Sequence, residues 1–168
     1  MALYSLGYGN RPIGAVLGLL ERYAITHLVD IRSVPHSRAH PDFGRAALER
    51  HVVASGWRYT YFGLELGGKS EGRTPETFRN GLRRLAGLGQ DEEVAVLCAE
   101  LRPEGCHRVR LVGAALAEAG VAMRHIDEHG SLISQTDAVW RTTRGQVALA
   151  AFAAPEPRIP RIARTSSP

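Results

Sequence analysis

The chain is short of cysteine and of aromatic residues, and it has no long apolar run. Two cysteines in 168 residues are too few for a disulfide framework, so a packed core and a reducing, cytoplasmic setting are expected. No apolar stretch approaches the ~20 residues that a membrane-spanning helix needs, and no membrane association is expected. The N-terminus shows no basic segment followed by an apolar core, and no secretory leader is read there. Gly7 and Gly9 lack the correctly spaced third glycine of a dinucleotide-binding loop, and no other cofactor motif is found. Cysteine and histidine spacing fits no standard zinc pattern, so the sequence assigns no metal site. There is no internal repeat.

What is present suits one globular domain. Hydrophobic residues make up 44% and charged residues 23%, within the range of folded proteins of this length. The formal net charge of +4 is mildly basic. It is compatible with a small phosphorylated molecule, a nucleotide or a nucleic acid as partner, but falls short of a nucleic-acid coating protein.

Apolar and amphipathic segments alternate. Ala2–Leu6, His27–Ile31, Trp57–Phe62, Val94–Cys98 and Val121–Ile126 read as strands. Ile13, Val16, Leu17, Leu20 and Ala24 share one helical face. Asp42 can cap a second helix carrying Phe43, Ala47, Leu48 and Val52, which stops at Gly56. Thr74 and Pro75 form an N-cap and first-turn pair for a third. A fourth runs from near Cys106 to Ala119. The pattern predicts an α/β domain of three layers over residues 1–154: a mostly parallel sheet of about five strands with helices on both faces. Gln146–Ala153 could form a last helix. Residues 155–168 read as a basic, Pro- and Ser-rich tail without stable structure.

Each strand is followed by a loop rich in functional side chains, at the edge where parallel α/β sheets bind ligands. These loops carry Asn10; Asp30, Arg32, Ser37 and Arg38; Glu65, Gly67 and Gly68; Cys98, Glu100, Cys106, His107 and Arg108; and His125. In order, Ser5-Leu6-Gly7-Tyr8-Gly9-Asn10, Leu28-Val29-Asp30-Ile31-Arg32-Ser33-Val34-Pro35-His36-Ser37-Arg38, Glu65-Leu66-Gly67-Gly68 and Cys98-Ala99-Glu100-Leu101-Arg102-Pro103-Glu104-Gly105-Cys106-His107-Arg108 resemble the motifs of the DUF488 family, bacterial and archaeal proteins of unknown function. The first motif departs from the family pattern at Tyr8 and Gly9, where His and Ser are usual. The resemblance spans roughly residues 3 to 130 and implies an α/β fold with a shared site.

The chemistry stays open among several readings. Arg32, Arg38 and Arg108 can hold an anion, or Arg32 can pair with Asp30 and Arg108 with Asp30 or Glu100; Asp30 or Glu100 can handle protons, and His107 can act as acid–base partner. Cys106 at a helix start is either a nucleophile of lowered pKa or a small packing residue. Cys98 is placed like the cysteine of a rhodanese or cysteine phosphatase, but the sixth residue after it is Glu104 where that cradle needs an arginine. A buried structural role suits it better. Asn10, Ser37, Glu65, Gly67, Gly68 and His125 complete the candidate ligand-binding set. The leading expectation is hydrolysis or group transfer on a phosphorylated ligand, nucleotide or nucleic-acid end. A non-catalytic nucleotide-binding module is the alternative, and a thiol-redox or sulfur-handling protein a third.

Overall fold

In the computed structural model, residues 2–69 and 71–143 are described. The expected final helix and the basic tail lie outside the described residues. Six strands form one sheet: β1 (Leu3–Gly7), β2 (His27–Asp30), β3 (Arg58–Tyr61), β4 (Val94–Cys98), β5 (Met123–Ile126) and β6 (Leu132–Ser134). Their order across the sheet is β3-β2-β4-β1-β5-β6. The first five are parallel and β6 runs antiparallel to β5. The all-buried run Val94–Cys98 lies between β2 and β1, as its lack of alternation predicts.

Helices α1 (Ile13–Arg22) and α2 (Arg45–Ala54) cover one face; the short α3 (Gly63–Leu66), α4 (Pro75–Asp91) and α5 (Ala114–Glu118) cover the other. On the first face Val16, Leu20, Leu48 and Val52 pack against Leu6, Leu28, Ala95 and Leu97. On the second, Leu66, Leu85, Val112 and Leu116 meet Leu3, Val29, Val94 and Val96. Sheet residues thus feed the two cores alternately, and each fully buried leucine contributes about 1.5–3 kcal/mol. The connections after β1 and β2 lead toward the β3 edge, whereas those after β3 and β4 lead toward the β6 edge. Right-handed crossovers place the two sets of helices on opposite faces. The loops leaving β2 and β4, adjacent strands, therefore part company at their carboxyl ends, the kind of switch point where parallel α/β sheets bind ligands.

Several local expectations change. Asp42 does not cap α2. Pro41–Phe43 forms a separate 3₁₀ turn, Gly44 occupies the N-cap, and Asp42 meets His51 at 3.2 Å instead. Thr74 does cap α4, its hydroxyl accepting the Thr77 N–H at 3.1 Å. The sixth strand comes from a hairpin: Asp127 Oδ1 accepts from the N–H groups of His129 and Ser131, and Gly130 takes φ +78°. Helix α6 (Gln135–Thr143) follows directly.

Candidate functional site

At the carboxyl end of β2, Asp30 and Arg32 are fully engaged with each other. Asp30 Oδ1 accepts the Arg32 backbone N–H at 3.0 Å and Nε at 2.8 Å. Its Oδ2 accepts Arg32 Nη2 at 2.6 Å and the Tyr59 hydroxyl at 2.8 Å. Arg32 Nη1 donates to the Phe43 carbonyl at 2.7 Å. Burial works against the charge of Arg32, and the bonds to Asp30 outweigh it, so its pKa rises. The guanidinium lies over Tyr8, which stacks on Phe43 with ring centroids 4.0 Å apart. Tyr8 thus packs under this ion pair.

At the carboxyl end of the neighbouring β4, two thiols and an imidazole converge. Cys98 ends β4, and the loop of residues 99–105 folds back so that Cys106 and His107 open the next helical segment beside it. His107 Nδ1 lies 3.6 Å from Cys98 Sγ and 3.7 Å from Cys106 Sγ. These three atoms all lie within 4.8 Å of one another. His107 Nε2 is 3.2 Å from the Ile31 carbonyl, an acceptor only, so Nε2 carries the proton and Nδ1 faces the sulfurs. The ring also rests against Gly68, where an added Cβ would stand 3.0 Å from it. Neither cysteine is in a disulfide. The hydrogen bond from the Cys106 thiol, then His107 and the Glu100 N–H, lower the pKa of Cys98 against the opposing effect of burial. The bond to Cys98, together with burial, raises that of Cys106. The pair therefore releases one proton readily and holds the second.

Arg108 is the largest fully buried side chain among the described residues. Its Nη1 donates to the Glu100 carbonyl and its Nη2 to the Leu101 carbonyl at 3.0 Å, fastening the loop to the helix that follows. Its Nε has no partner, and among the described residues it forms no ion pair with a carboxylate. Burial lowers its pKa, and the nearby sulfurs of Cys106 and Cys98 work the other way. Its backbone N–H points at Cys106 Sγ, 3.5 Å away. Arg108–Gly113 is wound more widely than an α-helix before it tightens into α5, a distortion common at functional sites.

The other residues singled out by sequence are distributed around this centre. Glu100 is exposed, and its backbone rather than its carboxylate takes part. Gly67 packs against Ser33, and its carbonyl accepts from Arg73. Ser37 Oγ accepts the His40 N–H at 3.0 Å, and Arg38 is exposed. Glu65 pairs with Arg84 at 2.9 Å in a hollow shared with Thr77, Asn80 and Arg83. Asn10 borders a cleft with Arg11, His40 and Asp42. His125 is buried between Ser5 Oγ at 2.7 Å and Gln135 Oε1 at 2.6 Å, and burial lowers its pKa to about 4. Sequence reasoning paired Cys98 with Cys106 only as the thiols of a redox or sulfur-handling protein, and it did not find the Ile31 carbonyl or Gly68 as supports of His107. Only the adjacency of Gly67-Gly68 in a motif hinted at a close approach.

No curated protein and no solved structure shows significant similarity to the chain. The family model "Domain of unknown function DUF488" matches residues 12–77, the stretch from α1 through the loop after β2 to the start of α4. Cys98, Cys106 and His107 fall outside the matched residues, but Ile31 and Gly68, which hold the His107 ring, fall inside them. Over residues 12–77, less than half of its length, the chain is similar to the DUF488 family.

Proposed function

We propose that the protein handles sulfur: Cys98 attacks a divalent sulfur atom of a disulfide or persulfide, and Cys106 resolves the product. The observation that carries this reading is the convergence of two unlinked thiols on one imidazole nitrogen at the carboxyl ends of β2 and β4. With a disulfide, the Cys98 thiolate forms a new S–S bond and the other half of the donor leaves as a thiolate, which takes up a proton. Cys106 then gives up its proton and attacks Cys98 Sγ. A Cys98–Cys106 disulfide results, and the second half of the donor leaves as a thiol. A small thiol reductant would restore the pair. With a persulfide, the same first attack moves the outer sulfur onto Cys98 and releases the donor thiolate.

Treatment of the Cys106→Ser protein with oxidised glutathione, followed by intact-mass measurement, tests this. A mixed disulfide should accumulate on Cys98 about 10-fold faster than on Cys106 in the Cys98→Ser protein, as a better-stabilised thiolate predicts. Equal, slow labelling of both would end the proposal.

A phosphorylated ligand or nucleotide at the same edge is the second reading. It is favoured by two exposed cations, Arg38 in the loop after β2 and Lys69 in the loop after α3, next to the Gly68 that touches His107. Arg32 and Arg108, which it would enlist first, are committed to Asp30 and to loop carbonyls. Retention on a phosphate matrix that Arg38→Ala and Lys69→Ala each weaken would support it; unchanged retention would remove it.

A further inference from the structure

The geometry points to Cys98, Cys106 and His107 as a binding site for a thiophilic metal ion, Zn²⁺, with solvent in the fourth position. The inference uses the same three side chains as the sulfur chemistry but does not depend on their exchanging disulfides.

Zinc binds thiolate sulfur at about 2.3 Å and imidazole nitrogen at about 2.0–2.1 Å, so a tetrahedral ion sets an S···N edge of about 3.6 Å and an S···S edge of about 3.8 Å. The two S···N distances here are 3.6 and 3.7 Å, and the sulfurs lie within 4.8 Å of each other. Three donors already stand close to the edges of one tetrahedron. Only a small adjustment separates the hydrogen-bonded cluster from a metal-bound one.

The second observation concerns the imidazole. A ligating histidine characteristically donates its other ring N–H to a backbone carbonyl or carboxylate, which fixes the ring and its tautomer. His107 does this through Nε2 and the Ile31 carbonyl at 3.2 Å. Nδ1 is thereby the ring atom aimed at the sulfurs, and Gly68 closes off one side of the ring. The third concerns charge. Arg108 is a buried cation without a carboxylate partner among the described residues, and its backbone N–H meets Cys106 Sγ. Zn²⁺ with two thiolates and a neutral imidazole makes an uncharged unit, which such a setting accepts at lower cost than a free divalent ion. Loading displaces the protons that the cluster still holds, and they go to solvent. His107 is partly exposed whereas both cysteines are buried, so the fourth position opens toward water on the side of the ring. Three protein ligands and an open position are the arrangement of zinc sites that act on substrates rather than only hold a fold together.

The test uses the reduced full-length chain, freed of metal with a chelator. Addition of Zn²⁺ should load one ion per chain, read by native mass spectrometry, and protect both thiols from a disulfide reagent. Addition of Co²⁺ should give thiolate-to-metal charge-transfer absorption with tetrahedral ligand-field bands. Cys98→Ser and Cys106→Ser should each weaken Zn²⁺ binding on the order of 100-fold, and His107→Gln about 10-fold. If a cysteine variant fails to fold, X-ray absorption on the Zn²⁺-loaded wild type decides alone: two sulfurs and one imidazole are expected. A shell of oxygen and nitrogen without sulfur, or a stoichiometry well below one, overturns the site. Mixed-disulfide formation on Cys98 in protein that takes no metal would leave the sulfur chemistry standing and remove only the metal. Metal uptake in protein that forms no mixed disulfide would do the reverse.

Discussion

At the residue scale, two glycines carry more of the site than their size suggests. A Cβ on Gly7 would collide with the Glu100 carbonyl and with the Arg108 guanidinium, both held in place by their bond to each other. Gly7→Ala should therefore cost about 3 kcal/mol or more, as overpacking against backbone does, measured by urea denaturation. Gly68→Ala is milder, because its Cβ would press on the movable His107 ring. It should leave the melting temperature within a few degrees and shift the His107 ring resonances, and an unshifted ring would mean that Gly68 does not position it. Arg108→Met removes both donors from the Glu100 and Leu101 carbonyls; about 2–4 kcal/mol of stability should go with them. An unchanged denaturation midpoint would show the loop to be held by other means. Arg32 was legible in the sequence both as an anion-binding cation and as the partner of Asp30, and it is the latter; Arg108 was legible as a cation or a carboxylate's partner, but not as one consumed by loop carbonyls. An arginine in a polar loop looks the same whether it faces solvent or turns inward onto carbonyls.

At the element scale, the junction of β6 and α6 bolts the far side of the sheet to the helix after the cysteine loop. Ser5 on β1, His125 on β5 and Gln135 at the start of α6 form a buried relay that ends on the Val109 carbonyl, 3.1 Å from Gln135 Nε2. His125 is held neutral: its pKa falls to about 4 in the fold, against about 6.5 for a free histidine. The unfolded chain therefore binds the extra proton between these values. Stability should be at its full value above about pH 6.5 and fall as pH drops toward about 4, by about 3 kcal/mol from this residue. The direction follows from the fold binding fewer protons than the unfolded chain in that window. His27, also lowered by burial, adds to the slope with the same sign. Denaturation midpoints for wild type and His125→Asn across this range provide the check, and parallel curves would acquit His125. The relay was only half legible. His125 stood out as polar at a strand end, but its partners lie far off in sequence, and Leu132–Ser134 is too short to announce itself as a strand.

At the scale of the whole molecule, the layered α/β plan was legible because period-3.6 and unbroken apolar segments alternate from α1 to β5. The central place of β4 could be read from its burial on both faces alone. That Cys98 and Cys106 share one imidazole nitrogen could not, since it depends on the path of the loop between them. A graded opening follows from the topology. Val94–Cys98 bonds to a neighbour on each side, whereas Leu132–Ser134 bonds to one short partner at an edge. In native-state hydrogen exchange, amides of β4 should exchange only through global unfolding and those of β6 through local opening. Equal protection of the two would mean that the hairpin and the central sheet open as one unit.

The tight approach of Gly7 to Glu100 and Arg108 also has a consequence for descent. Two positions remote in the chain are bound into one inherited choice: an arginine that ties the cysteine loop to its helix, and a backbone bare enough to pass beneath it. Among relatives, a side chain gained at the first position should appear together with loss of arginine at the second. A lineage that changed one without the other would have had to find a new fastening for the loop.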